Sequence, residues 1–249
     1  PGKYTQLLRD GMPLFGGYAG SFSILQIPPL DLKQIEIIKG ASSTLYGGGA
    51  IAGMINLVSK RPRDGKPERT FLFNQSSLGE TNINLYFSER KKKTGYTLFG
   101  GGNLQHSKDV NKDGFSDVAR TDGFFFHPTA FFYPDTKNLI SIGFNSVMEN
   151  RKGGDMLVLQ DKADAAHQYF VQNKTQRNSL EANWENKLNT SDRFTFKATG
   201  SWLNREITTS TFGMKAKQLS YFSEASWLKK SKKNDQVAGL NLTGENFTK

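Results

Sequence analysis

Cysteine is absent from this chain of 249 residues and there are three histidines, which excludes several kinds of catalytic or metal site. The absence of cysteine excludes disulfides, thiolate zinc sites and thiol nucleophiles. Paired acids for glycoside hydrolysis would have to converge on one cleft. We therefore predict a protein that is not an enzyme and has no cofactor and no bound metal. The three histidines form no metal-binding motif, and the candidate acids are predicted on the polar faces of separate strands: His106, His127, His167, Glu181, Glu185 and Glu224.

The segment from Asp109 to Asp117 has a spacing that suits a cation. Asp109, Asn111 and Asp113, followed by a glycine, match the start of a calcium loop. The bidentate glutamate expected at position twelve is replaced by Arg120, although Asp117 could supply a late oxygen. We favour the alternative interpretation, an Asx-type turn at the tip of a solvated loop.

Two further patterns are typical of nucleotide or nucleic-acid binding but have the wrong context. Gly47-x-Gly49-x-x-Ala52 fits the dinucleotide fingerprint, but a strand is predicted after it instead of a long helix. The net charge of +10 indicates an anionic neighbour, either nucleic acid or a charged membrane surface. The basic runs at 90–93 and 229–233 lack interleaved aromatic residues and lie at predicted hairpin turns. We therefore expect solvated turns there and no nucleic-acid partner.

From about residue 69 onward, apolar and polar side chains alternate, which predicts strands with one apolar and one polar face. Polar turns separate these segments on one side at 90–94, 134–138, 189–192 and 229–235, and longer connections follow on the other side at 105–121, 150–175 and 208–216. This is the plan of an outer-membrane barrel, and we count about nine strands. The clearest alternation is in residues 82–88, 140–145, 180–185, 194–202, 218–227 and 238–243.

Aromatic residues are predicted at the strand ends beside the short turns, where amphipathic rings favour the level of lipid headgroups. The alternative is a soluble β-sandwich that buries its apolar faces in a core and binds an anionic partner through its basic surface. The predicted aromatic girdle consists of Tyr96, Phe132, Tyr133, Trp184, Phe194 and Trp227.

Residues 35–62 predict a strand at 35–38, a helical turn at 43–46, a glycine hinge and a second strand at 53–59. The segment runs Ile35-Glu36-Ile37-Ile38-Lys39-Gly40, then Leu45-Tyr46-Gly47, then Gly53-Met54-Ile55-Asn56-Leu57-Val58-Ser59-Lys60-Arg61-Pro62. It resembles the end of the plug domain in TonB-dependent outer-membrane receptors, and the main departure from the pattern is Ala52. The hairpin at 9–14 and a short helix at 28–33 extend the resemblance to residues 4–62.

The resemblance implies an all-β-dominated chain: part of a small α+β plug at residues 1–62, then part of a transmembrane antiparallel β-barrel at 63–249. It implies a receptor in the outer membrane of a Gram-negative bacterium, surrounded by outer-membrane lipid. The ligand is a scarce metal chelate, an iron-siderophore first and haem or cobalamin second, because the glycine pattern differs from that of glycan importers. TonB would drive passage through a segment outside this chain. We expect the protein to continue at both ends, and we expect the chain alone not to transport.

The resemblance also assigns roles to particular residues. The plug loop after the hairpin would face the ligand, with Phe15, Tyr18, Ser21 and Phe22 as contacts. Lys39 would help to latch the plug to acids of the barrel contributed by strands beyond residue 249. The other motif residues of this latch region are Gly40, Tyr46, Gly47 and Gly53.

Overall fold

The structure is a computed structural model that describes residues 5–15, 30–40, 53–232 and 234–249. Its strands form two sheets, one of four strands and one of nine. A single turn of helix, α1 (Met156–Leu159), lies in a connection of the larger sheet. In these ranges, no helix is both long and apolar enough to span a membrane.

The four-stranded sheet, here called the small sheet, has the order β2-β1-β4-β3, with β1 and β4 parallel and the other pairs antiparallel. Asp10 and Gly11 both have positive φ, which permits the tight turn between β1 and β2. Buried Leu7 and Leu57 hold the sheet together. The strands are β1 (Thr5–Arg9), β2 (Met12–Pro13), β3 (Leu32–Lys39) and β4 (Gly53–Ser59).

Both strands predicted in this part of the chain are confirmed. The predicted short helix at 28–33 is wrong at its end, because Leu32 and Lys33 already lie in β3, where Leu32 pairs with Ser59 of β4. Antiparallel pairing with β4 satisfies the backbone there, which leaves no reason for a helix. The predicted helical turn at 43–46 lies outside the described residues.

The nine-stranded sheet, here called the wall, is antiparallel throughout, and its strands pair in sequence order. Four of its strands are 17 or 18 residues long. Its members are β5 (Glu68–Gln75), β6 (Glu80–Lys91), β7 (Thr94–Gln105), β8 (Arg120–Phe132), β9 (Asn138–Gly154), β10 (Phe170–Lys187), β11 (Asp192–Thr209), β12 (Gly213–Lys229) and β13 (Gln236–Thr248).

The two faces of the wall have opposite character. One face contacts the small sheet: His127, Arg177 and Glu185 all bond to residues N-terminal to the wall. Residues paired across the strands share a face, so the register assigns the remaining residues to this inner face or to the outer one. The outer face carries a belt of exposed apolar residues, including Phe71, Phe124, Ile142, Leu180, Trp202 and Leu240.

This orientation confirms the predicted partial barrel and contradicts the β-sandwich, in which the apolar faces would meet in a dry interior. Where the inner face is apolar, it packs against the N-terminal part of the chain: Leu30 contacts a buried cluster that includes Tyr86 and Phe99. The linker predicted at 60–68 crosses between the sheets, and its Lys60 lies 4.6 Å from the Tyr86 ring centroid.

Two details of the wall differ from expectation. The stretch predicted as a longer connection at 208–216 is a tight turn at 210–212, because β11 and β12 stay paired up to Thr208 and Gly213. Glu181 and Glu185 lie on one strand, β10, and not on separate strands. They do share the inner face, as their alternation predicts.

We expect inner-face and outer-face phenylalanines to respond differently to truncation. Phe99→Ala removes a side chain that is 1% exposed and should lower the free energy of unfolding by about 3–5 kcal/mol. Phe71→Ala, on the outer face and 65% exposed to the surrounding detergent, should lower it by less, about 1–2 kcal/mol, because detergent fills the space and no cavity remains. Urea unfolding of the full-length receptor in detergent measures both. Equal losses would contradict the assignment of the two faces.

Candidate functional site

Three charged or titratable side chains meet where the small sheet faces the wall, and we call them the buried triad. Arg9 ends β1, Asp31 precedes β3, and His127 lies on the inner face of β8. All three are nearly inaccessible to solvent. Asp31 Oδ2 lies 3.1 Å from a terminal guanidinium nitrogen of Arg9 and 2.7 Å from His127 Nδ1. The triad therefore joins the N-terminal part of the chain to the wall.

Electrostatics explain why charges are tolerated in this buried position. Burial by itself lowers the pKa of Arg9, but the negative charges of Asp31, Glu181 and Asp10 outweigh it and raise that pKa. Burial by itself raises the pKa of Asp31, but Arg9 and the hydrogen bond to His127 outweigh it and lower that pKa. Both groups are thus charged at neutral pH, and each stabilises the other.

The Nδ1 atom of His127 lies between Arg9 and Asp31, and the tautomer of the ring decides which of them it bonds. Its Nδ1 is 2.7 Å from both Arg9 and Asp31, and a single ring nitrogen cannot donate to Asp31 and accept from Arg9 at once. Its Nε2 lies 3.9 Å from Glu181. A proton on Nδ1 satisfies Asp31, which already holds Arg9 by the ion pair. The arrangement joins two parts of the chain.

A second ionic contact lies nearer to the short turns. Arg61, just after β4, makes a bidentate contact with the Glu185 carboxylate on β10, with N···O distances of 2.5 and 3.3 Å. The Asn183 side chain donates a hydrogen bond to the same carboxylate. Burial lowers the pKa of Arg61, but the hydrogen bond and charge of Glu185 outweigh it and raise that pKa. The planar fork of arginine suits such a contact.

Among the predicted ligand-facing residues, the structure describes Phe15. Its backbone carbonyl accepts a hydrogen bond from Arg177 on the inner face of β10. Tyr18, Ser21 and Phe22 lie outside the described residues, so their role stays a prediction.

Three of the five predicted motif residues are described. Gly53 has φ +142°, and a Cβ there would lie 2.5 Å from the Ile38 carbonyl oxygen, so the pairing of β3 with β4 requires glycine. Gly40 also has positive φ. Lys39 is exposed at the end of β3, and no ion pair joins it to another described residue. Its latch role stays a prediction, while Tyr46 and Gly47 lie outside the described residues.

The loop at 109–117 uses its acids to fix its own backbone. Asp109 accepts hydrogen bonds from the backbone nitrogens of Lys112 and Gly114, and Asp117 accepts one from Val110. These bonds form the Asx-type turn that we favoured. Within the described ranges, no group of three or more His, Cys, Asp or Glu residues is arranged to hold a metal ion.

The two long connections of the wall also contact one another. Ser116 and Gly154 exchange two hydrogen bonds, and the rings of Phe115 and Tyr169 meet edge to face. In the second connection, His167 Nδ1 lies 2.7 Å from Asp155, which also caps α1. Their hydrogen bond lowers the pKa of Asp155 and raises the pKa of His167.

The N-terminal part of the chain matches a known family. Residues 1–54 match the family model described as the TonB-dependent receptor plug domain. The ferrioxamine receptor of Yersinia enterocolitica is 39% identical over 62 residues, which are 25% of this chain and 9% of that protein. The ferric aerobactin receptor of Klebsiella pneumoniae is 39% identical over 72 residues, 29% of this chain and 9% of that protein. The matched stretch is thus a small part of each relative.

Solved structures share the fold over nearly the whole chain. The open form of the ferric-catecholate import receptor Fiu from E. coli K12 has a TM-score of 0.71 at 15% identity, with 98% of this chain and 42% of that one covered. The alcaligin outer-membrane receptor FauA from Bordetella pertussis has a TM-score of 0.70 at 11% identity, with 97% and 38% covered. Plug sequence and overall fold together confirm the predicted relationship with TonB-dependent outer-membrane receptors.

The buried triad was not predicted from the sequence. Arg9 lies in the segment 9–14 that resembles a plug hairpin, but that resemblance rests on the turn residues of the hairpin and not on Arg9. His127 had a usable signal. Its immediate neighbours along β8 are apolar and point to the outer face, so the polar His127 side chain must point to the inner face. Asp31 had none, because its partners are 22 and 96 residues away in the chain.

We expect Asp31→Asn to loosen the contact between the small sheet and the wall, because Arg9 would lose its buried counter-charge. Loss of one partner of a buried pair should lower the free energy of unfolding by about 3 kcal/mol. Glu36→Gln, on the exposed side of β3, is the matched control and should change it by less than about 1 kcal/mol, because the hydrogen bonds that Glu36 accepts from Gln34 and Asn56 are exposed to solvent. Denaturant unfolding of the full-length receptor measures both. A similar effect of the two substitutions would contradict the role of the triad.

The second long connection should be most ordered in mildly acidic solution. The raised pKa of His167 gives stability that is present below about pH 6.5 and lost as the pH rises through the folded-state value. The lowered pKa of Asp155 gives stability that is present above about pH 4 and lost on acidification through its folded-state value. Hydrogen exchange at 155–169 should therefore be slower at pH 5.5 than at pH 8.5, after correction for the intrinsic rate. His167→Ala should abolish the difference, whereas His106→Ala should keep it.

Proposed function

We propose, on the premise that residues 1–54 are a plug segment of a TonB-dependent receptor and the wall is part of its barrel, that the whole protein imports a scarce metal chelate across the outer membrane. An iron-siderophore complex is the favoured cargo, and haem or cobalamin is the alternative. The relatives named above are receptors for ferrioxamine and ferric aerobactin, which supports iron.

The observation that carries this proposal is the ionic contact between the small sheet and the inner face of the wall. A plug must close the barrel between transport events, and it must be held by contacts that can be broken and restored. The buried triad and the Arg61–Glu185 pair supply two such contacts at separate points. In this proposal the plug gates the passage, and TonB, which would contact a segment outside this chain, drives its movement.

The ligand would bind over the end of the plug that contains Phe15. The hydrogen bond from Arg177 to the Phe15 carbonyl tethers the beginning of this loop to the wall. Aromatic side chains on the loop would offer flat contact surface to the chelate. We retain Phe15, Tyr18, Ser21 and Phe22 as the proposed contacts, and Lys39 as a proposed latch to acids of barrel strands that this chain does not include.

Uptake by whole cells tests the proposal. The full-length receptor, expressed in a Gram-negative host without siderophore receptors of its own, should restore accumulation of radioactive iron supplied as a hydroxamate or catecholate chelate. A protonophore or loss of TonB should abolish accumulation. Rescue by cobalamin or haem alone would assign the alternative cargo, and uptake that persists without TonB would contradict the mechanism.

Binding of the same chelate tests the loop. Tyr18→Ala should weaken binding about five- to tenfold, as expected for the loss of an aromatic contact. The matched control is Phe73→Ala, which removes an exposed aromatic residue from the outer face of β5. Unchanged affinity in Tyr18→Ala, or an equal loss in the control, would remove this residue from the proposed site.

A further inference from the structure

The two rims of the wall differ in charge. The short-turn rim consists of the connections 92–93, 133–137, 188–191 and 230–235, and it carries six lysines against two aspartates, a net charge of +4. The loop rim consists of 76–79, 106–119, 155–169 and 210–212, and it carries three lysines against six aspartates, a net charge of −3. The excess positive charge of the wall's connections therefore lies at one end of the strands.

The short-turn rim is a connected structure, because backbone hydrogen bonds join each turn to the next. Tyr133 N donates to Lys93 O at 2.7 Å, and Lys187 N donates to Lys137 O at 2.9 Å. Lys230 N donates to Ser191 O at 2.8 Å. Three bonds thus tie four successive turns together, and the lysine side chains extend from a fixed backbone.

Exposed aromatic residues lie beside these lysines on the outer face. The rings of Trp184 and Phe194 meet edge to face at 5.5 Å on neighbouring strands. Lys229 Nζ lies 6.0 Å from the Trp227 ring centroid. From the middle of the strands towards the short turns, the outer face changes from apolar side chains to aromatic rings and then to lysines. The same order of side chains is typical of proteins that cross a membrane interface.

Three acids in or beside this rim have partners within the turns or on the neighbouring strand residues. Asp135 accepts hydrogen bonds from the backbone nitrogens of Lys137 and Asn138, and Asp192 accepts one from the Asn189 side chain. Glu89 pairs with Lys91 at 3.1 Å. The lysines at 92, 93, 230 and 232 are exposed, so their charges are accessible to a ligand at the rim.

We propose that the short-turn rim binds the headgroups of anionic glycerophospholipids, such as phosphatidylglycerol, in the leaflet that faces the periplasm. The orientation rests on the proposed function, because short turns face the periplasm in outer-membrane barrels. A phosphodiester carries one negative charge at the depth where the lysines end, just beyond the aromatic rings. Clustered lysines beside an apolar belt are the chemistry that recognises such a surface.

Lipid binding to the full-length receptor, purified in a neutral detergent, tests this proposal. Native mass spectrometry with added phosphatidylglycerol or phosphatidylethanolamine should show a clear preference for phosphatidylglycerol, which shrinks in high salt. The variant Lys92→Gln/Lys93→Gln/Lys230→Gln/Lys232→Gln should bind phosphatidylglycerol at least about tenfold more weakly. No preference in the unchanged receptor, or no loss in the variant, would overturn the proposal.

A matched control removes the same number of charges at the other end of the strands. Lys112→Gln/Lys162→Gln/Lys174→Gln/Lys217→Gln changes four exposed lysines near the loop rim and should keep the phosphatidylglycerol preference. An equal loss in this control would show that net charge, and not the rim, is responsible. A short-turn variant that keeps its lipid affinity but no longer binds polyglutamate would assign the lysines to an acidic protein partner and overturn the proposal.

Orientation is tested separately from transport. A single cysteine at Thr190→Cys, on the β10–β11 turn, should react with a membrane-impermeant maleimide only after the outer membrane is permeabilised. Reaction in intact cells would overturn the assignment to the periplasmic leaflet. A receptor that takes up no chelate but retains both the lipid preference and the labelling pattern would refute the proposed function alone.

Discussion

The apolar outer face of the wall is the constraint on which the rest of this structure depends. Successive side chains of a strand point to opposite faces of the sheet. Apolar residues on one face therefore place no restriction on the other face, which can be polar. The inner face is accordingly rich in buried serine, threonine and charged side chains. Whatever packs against it must satisfy those groups, because unpaired polar groups are costly to bury. The buried triad meets part of this requirement with charges of both signs, whereas Arg9 Nε and Asp31 Oδ1 are buried without a hydrogen-bond partner among the described residues.

Strand length separates this architecture from a soluble sandwich. A strand of 17 residues is about 56 Å long at about 3.3 Å per residue, whereas a bilayer core is about 30 Å thick. The long strands therefore project beyond the apolar belt, and their outer faces become polar there, as at Lys174 and Lys217. A sandwich would need no such change of character along one face.

The sequence allowed much of the fold to be predicted, because period-two alternation is a local signal. Strands such as β6 and β11 were predicted near their centres, and their ends were missed because polar strand ends resemble loops. The connection at 210–212 was missed for that reason. The plug segment was recognised from its glycine and strand pattern. The buried triad could not be predicted, since its members are distant in sequence and no local pattern indicates that they meet.

The nature of the contact suits the displacement of the plug that we propose. A plug in the wrong position would leave one charge of the buried ion pair without its partner. An unpaired buried charge is costly, so the pair favours the correct position. Separation of both partners into water is less costly, because each regains its hydration. Among the residues that the structure describes, Leu30 packs against the cluster around Phe99. The polar contacts of the described part of the interface therefore favour one position of the plug, and they resist a pull less than a hydrophobic contact of equal area would.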